Sequence, residues 1–193
     1  KTIAYTISDA EDFIGHTPSV GDEPTVEDWS DRTPKNNEIW YTATEQIVAD
    51  SEHEWTFDTF GATIVSHEWN PAINTGIITC DGDITTISNG AFHHCGYITS
   101  VIIPETVTSM RNSPFENCWN LERVYIGNLD MWYNMEFGIK EDSPLFNIAD
   151  LYVDNELFTD WVIPSDMNSV TNRFLGCSSL NNVVFHSNIT AIE

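Results

Sequence analysis

The chain has 193 residues, 41% hydrophobic and 12% aromatic, enough for one sizeable core and too apolar for wholesale disorder. Its 30 acidic residues against 7 basic ones give a net charge of -23, a field that repels phosphate backbones and anionic membranes and argues against nucleic-acid binding. No run reaches the roughly 18 apolar residues of a membrane span, so no membrane insertion is expected within this fragment, and Lys1 reads as the start of a mature or trimmed fragment with no signal or anchor.

Residues 1–37 read as an acidic N-terminal arm or linker interrupted by Pro18, Pro24 and Pro34. A second reading makes the arm partly β, because Ile3-Ala4-Tyr5-Thr6 is echoed by Ile39-Trp40-Tyr41-Thr42. Residues 38–83 read as a β-rich N-terminal cap. Ile39, Tyr41, Ile47 and Val48 suggest a hairpin, Ala62–Ser66 and Gly76–Cys80 suggest two further strands, and Asp81-Gly82 supplies a tight turn. Trp40, Trp55, Trp69, Phe57 and Phe60 are expected in the cap core, with a sugar-stacking platform as the alternative.

Residues 84–193 read as about four repeats. Ile84, Ile87, Phe92, Cys95, Ile98, Val101 and Ile103 recur 23 residues on as Val107, Met110, Phe115, Cys118, Leu121, Val124 and Ile126. A fixed period in the range of roughly 20–50 residues marks units that stack because none can bury its apolar face alone. Leu121-x-x-Val124-x-Ile126 has the form of a leucine-rich repeat, whose last residues alternate inward from a short strand. The third unit is expanded: Ser143-Pro144-Leu145 repeats Ser113-Pro114-Phe115 at a separation of 30, which places Leu145, Ile148 and Leu151 on the inward ladder. The extra residues within 127–142 are expected to form an aromatic flap, and Leu157–Ile163 a return strand pairing with Leu151–Val153. Phe174, Cys177, Leu180, Val183 and Phe185 carry the next unit, and Ile189 and Ile192 open a last, truncated one.

The wording of these units, with Ala91-Phe92 followed by Cys95 and then Val101-Ile102-Ile103-Pro104-Glu105-Thr106-Val107-Thr108-Ser109, resembles the BspA-like leucine-rich repeats of secreted and surface proteins of host-associated anaerobic bacteria. The fold expected is a right-handed leucine-rich-repeat solenoid of the α/β horseshoe class, predominantly β with short helical turns. The resemblance implies a secreted or cell-surface adhesion module that binds a host or bacterial surface protein. An accessory glycan-binding or glycan-processing role and a structural spacer are the alternatives.

Large aromatics at positions the ladder leaves outward are the ligand-binding candidates: Tyr97, Trp119 and Tyr125, joined by Trp132 and Tyr133 from the insertion. Cys95, Cys118 and Cys177 share one repeat position and read as stacked buried thiols, with a Cys95–Cys118 bridge open if successive turns bring them close. No enzyme, metal or cofactor is expected. His93-His94 has no partner at ligand spacing, Asp81-Gly82-Asp83 lacks the rest of a calcium loop, and no G-x-S-x-G, H-E-x-x-H or phosphate-binding glycine motif occurs. Asn188-Ile189-Thr190 has sequon form alone.

Overall fold

The computed structural model describes residues 32–48, 55–170 and 172–192, so the N-terminal arm lies outside the described residues but for its last six. The described chain is mostly strand with few helices and no closed barrel. The N-terminal block supplies β1 (Glu38–Ala43), a one-turn helix α1 (Phe57–Phe60), β2 (Ile64–Asn70) and β3 (Thr75–Cys80). The first two repeats supply β4 (Thr86–Ile87), β5 (Ile98–Ile102), β6 (Ser109–Met110) and β7 (Arg123–Ile126). The expanded third unit adds α2 (Leu129–Asn134), β8 (Glu136–Phe137), β9 (Asp150–Val153) and β10 (Glu156–Leu157), and the last units add β11 (Asp160–Val162), β12 (Ser169–Val170), β13 (Asn182–Val184) and β14 (Ala191–Ile192).

Each unit contributes one strand to each of two ladders. β5, β7 and β9 pair in parallel in one sheet, and β4, β6 and β8 pair in parallel in another. Ser100 opposes Arg123, and Ile87 opposes Met110, so the 23-residue period is the offset of the first stack. The same arrangement returns in β11 with β13 and β12 with β14, at 22 residues, as Asp160 opposite Asn182 shows. The N-terminal block closes the open side of the longer sheet: β1 pairs antiparallel with β5 and with β3, giving the order β10-β9-β7-β5-β1-β3-β2. The bare end of a stack of repeats would expose backbone donors and apolar side chains, and β1 satisfies both. Gly76 lies opposite Tyr41, whose ring would be 2.1 Å from a Cβ there, so the pair needs a glycine.

The main core is one continuous column, and a second, smaller cluster of Trp40, Ile77, Ile102 and Tyr125 lies on the other face of the long sheet. Phe60 from α1, then Phe92, then Phe115 stack with ring centroids 6.3 and 5.0 Å apart, and Cys95, Ile98, Val101 and their equivalents pack alongside. All four cysteines are free thiols; Cys80, Cys95 and Cys118 are buried and Cys177 is half-buried. The Cys118 thiol donates to the Phe92 carbonyl at 2.9 Å, which ties one turn to the next.

Several expectations are corrected. Ile47 and Val48 form no hairpin with β1, because β3 and β5 already occupy both of its edges. Phe57 is exposed, and of the two phenylalanines of α1 only Phe60 turns inward, beside the buried Thr59. Residues 127–142 are no flap: Asn128 caps α2 by accepting the Met131 N–H at 2.9 Å, and β8 then joins the ladder with Phe137 opposite Met110. The return strand is only β10; β11 turns away to start the next parallel pair. Val183, expected inward, is 37% exposed because no further strand lies over β13 among the described residues, while Leu180 and Cys177 are half-buried.

Ile148 is the sharpest correction. It is 73% exposed, and the fully buried Ala149 takes the place that Cys95 and Cys118 hold in the earlier units. A short 3-10 turn, Pro144–Asn147, adds one residue after Leu145, and the chain then enters β9 early, so that Leu151 pairs with Val124 and not with a Leu121 equivalent.

Two predictions follow from this packing. Phe115→Ala, which opens the middle of the aromatic column, should cost about 3–5 kcal/mol in denaturant unfolding. The His67 Nε2 shares a hydrogen bond with the Tyr41 hydroxyl at 2.7 Å with Trp55 against its ring, and burial holds its pKa below the ordinary 6.5. The unfolded chain therefore takes up this proton first as pH falls, so the stability is whole above about pH 6.5 and declines below it. The unfolding midpoint of the natural protein should drop between about pH 7 and pH 5 more steeply than that of His67→Gln.

Candidate functional site

The turns that connect the two ladders are stacked like the strands. Between the first and second units the backbone bridges directly, with the Phe92 and His94 N–H groups donating to the Pro114 and Glu116 carbonyls at 2.7 and 2.8 Å. Between the second and third units side chains take over. The Asp142 carboxylate, itself buried, accepts from the Ser113 N–H at 2.7 Å and the Ile139 N–H at 2.8 Å, and the Asn147 amide donates to the Phe115 carbonyl at 2.9 Å. The turns part there and leave a groove of about 640 Å³ running from Ser113–Trp119 on one wall to Ile139–Ile148 on the other.

Four large apolar side chains of the groove are exposed. Trp119 (76% exposed), Ile148 (73%), Ile139 and Phe146 all present side chains to solvent, and Glu116, Asn117, Glu141 and Asn147 complete the lining. Scattered surface apolar residues need no explanation, whereas a contiguous group rimmed by polar residues marks an interaction surface. Ile148 carries a second signal. It sits at φ 66°, in the left-handed region that Asn117 and Gly176 occupy at the same point of their turns. Asn and Gly tolerate that conformation, while a β-branched side chain there is strained by about 1–2 kcal/mol. Gly176 has a packing reason as well, since a Cβ on it would fall 2.0 Å from the Leu145 carbonyl oxygen.

Of the aromatics singled out in the sequence, Trp119 alone lies in this groove. Tyr97 is half-buried against the main core and bonds to the Cys95 side chain. Tyr133 accepts from the Trp161 indole at 2.9 Å. Tyr125 and Trp132 are corrections. Tyr125 is only 7% exposed, because the outer face of the long sheet is covered too: it clusters with Trp40, Ile77 and Ile102 and stacks on Tyr152 at 4.7 Å. Trp132 is fully buried under α2, its indole donating to the Arg173 carbonyl at 3.1 Å. The repeat pattern does not single out Ile139, which lies in the insertion, or Phe146, which stands where the second unit has Glu116, and the 30-residue match assigns Ile148 inward.

Burial raises the pKa of Tyr41 and of Cys118 and pushes the Cys80 thiol up to about 11; all three belong to the core and none lines the groove. No cluster of three or more His, Cys, Asp or Glu side chains fit to hold a metal ion occurs among the described residues. No helix among them is long and apolar enough to cross a membrane.

Parallel strand pairs at offsets of 22, 23 and 27 residues, a contiguous main core and an exposed groove on the turn edge define an interaction scaffold of the repeat class, a kind of domain that is generally not catalytic. The family model for the BspA type leucine rich repeat region matches residues 63–141 and 143–193 with 6 copies, and the chain belongs to that family. No curated protein and no solved structure matches it.

The Asp142 bridge should hold the groove open. Asp142→Ala orphans two backbone donors at a buried site and should cost about 2–4 kcal/mol in unfolding free energy, measured by denaturant titration.

Proposed function

We propose that this chain is a non-enzymatic binding module, secreted or held at the cell surface, whose coils wind as a right-handed solenoid and whose turn-edge groove captures a protein partner in adhesion. The observation that carries this reading is Ile148. An exposed isoleucine in a left-handed backbone position opposes both solubility and local stability, and such a residue is retained where its side chain does something on the surface. Its neighbours are Trp119, Ile139 and Phe146, the apolar anchors a protein interface uses at its centre. The aliphatic pair Ile139 and Ile148 favours an apolar side chain over a sugar ring, which would ask for more hydrogen-bonding groups. The family membership supports a scaffold for recognition and leaves the partner to the groove.

The test is Ile148→Asn, run beside Trp119→Ala, in a binding screen against extracellular-matrix proteins and a glycan array. Ile148→Asn should leave the unfolding free energy unchanged or raise it by up to about 1 kcal/mol, while weakening capture of the protein partner at least about tenfold. Protein binding indifferent to both substitutions, or saturable binding to glycans alone, would contradict the proposal.

A further inference from the structure

Building on the protein-binding reading, we propose that the occupant of the groove is a cationic segment of the partner: one large apolar or aromatic side chain seated among Trp119, Phe146 and Ile148, with Lys or Arg on either side of it. Three observations carry this. Glu116 and Glu141 stand on opposite walls, and the buried Asp142 adds a third carboxylate close beneath; the basic groups beside them are the Lys140 ammonium at Glu141 and the His93 imidazole, 3.7 Å from a Glu116 carboxylate oxygen. The net charge of -23 adds a long-range field of the same sign, which raises the local concentration and the association rate of a basic partner and repels an acidic one.

The third observation is a contact the groove already makes. Lys140 places its ammonium 5.8 Å from the centre of the Phe146 ring and 3.7 Å from a Glu141 carboxylate oxygen. A cation held between an aromatic face and a carboxylate on one wall shows what the opposite wall can offer a partner. There Trp119, the strongest cation–π acceptor among the aromatic side chains, lines the groove together with Glu116. The volume of about 640 Å³ suits one anchoring side chain and its two neighbours.

The experiment uses three fluorescently labelled peptides in a Gly-Ser context, KKWKK, EEWEE and KKSKK, read by anisotropy at low and at physiological salt. The expected result is that KKWKK binds at least about tenfold more tightly than either of the others. Ile148→Asn should reduce that binding about tenfold. Glu116→Gln combined with Glu141→Gln should reduce it severalfold and flatten its salt dependence. Glu156→Gln, which removes a charge from the β9–β10 hairpin, should change nothing. Unfolding midpoints measured on the same samples separate lost binding from lost fold.

Binding of KKWKK that is indifferent to the groove substitutions would overturn the inference, since attraction to the overall charge would then explain it. Equal binding of EEWEE, or no preference for KKWKK, would overturn it as well. If a matrix protein is still lost with Ile148→Asn while KKWKK is not preferred, the partner chemistry is wrong and the groove stands. If Ile148→Asn affects neither ligand, both readings fall.

Discussion

Everything in this fold depends on one requirement: a single turn of the chain is too thin to bury its own apolar side chains, so each turn must lie on the next. The Phe60, Phe92 and Phe115 rings are the clearest expression of it, one from the N-terminal block and two from the repeats, in contact along a column. Fixing their spacing fixes the strands, because a residue that is 23 positions further on has to sit directly over its predecessor. The cap is subject to the same rule. β1 runs antiparallel to β5 and contributes Tyr41 and Ile39 to the main core, so the N-terminal block and the repeats share one interior.

That requirement explains what could be read from the amino acids and what could not. Where the period is regular, inward positions repeat identically and Phe92, Cys95, Val101 and their partners are all buried as the pattern demands. The reading fails where a local choice of backbone competes with the period. The 3-10 turn Pro144–Asn147 holds one residue more between Leu145 and Ala149 than the second unit holds between Phe115 and Cys118, which swings Ile148 out and Ala149 in; the Ser-Pro-Leu wording could not show it because both registers satisfy it. Tyr125 fails for a different reason. Alternation along a strand says which residues share a face but not whether the second face is covered, and here Trp40, Ile77 and Ile102 join it there. Trp132 had a legible signal in Asn128, a capping residue ahead of Leu129, Met131 and Trp132, which marks an amphipathic helix and not a loop.

The candidate site grows out of the same irregularity. A regular stack bridges its turns with backbone hydrogen bonds, as the first two units do. Once the third turn departs from the template, Asp142 and Asn147 span the gap with side chains and a groove opens beside them. The apolar residues that the wider turn throws outward are therefore concentrated on its rim. The stability lost through a strained Ile148 is small beside the burial of the column, which is why the fold can carry it.

The register slip at Ile148 and Ala149 is the hinge of this account, and thiol labelling tests it without any knowledge of the partner. Ile148→Cys and Ala149→Cys would each be treated with a thiol reagent under native conditions, with the parent protein as the background for its own free cysteines. The account predicts prompt reaction at position 148 and reaction at 149 only on unfolding. The reverse pattern would restore the uninterrupted ladder, close the groove and contradict the function drawn from it.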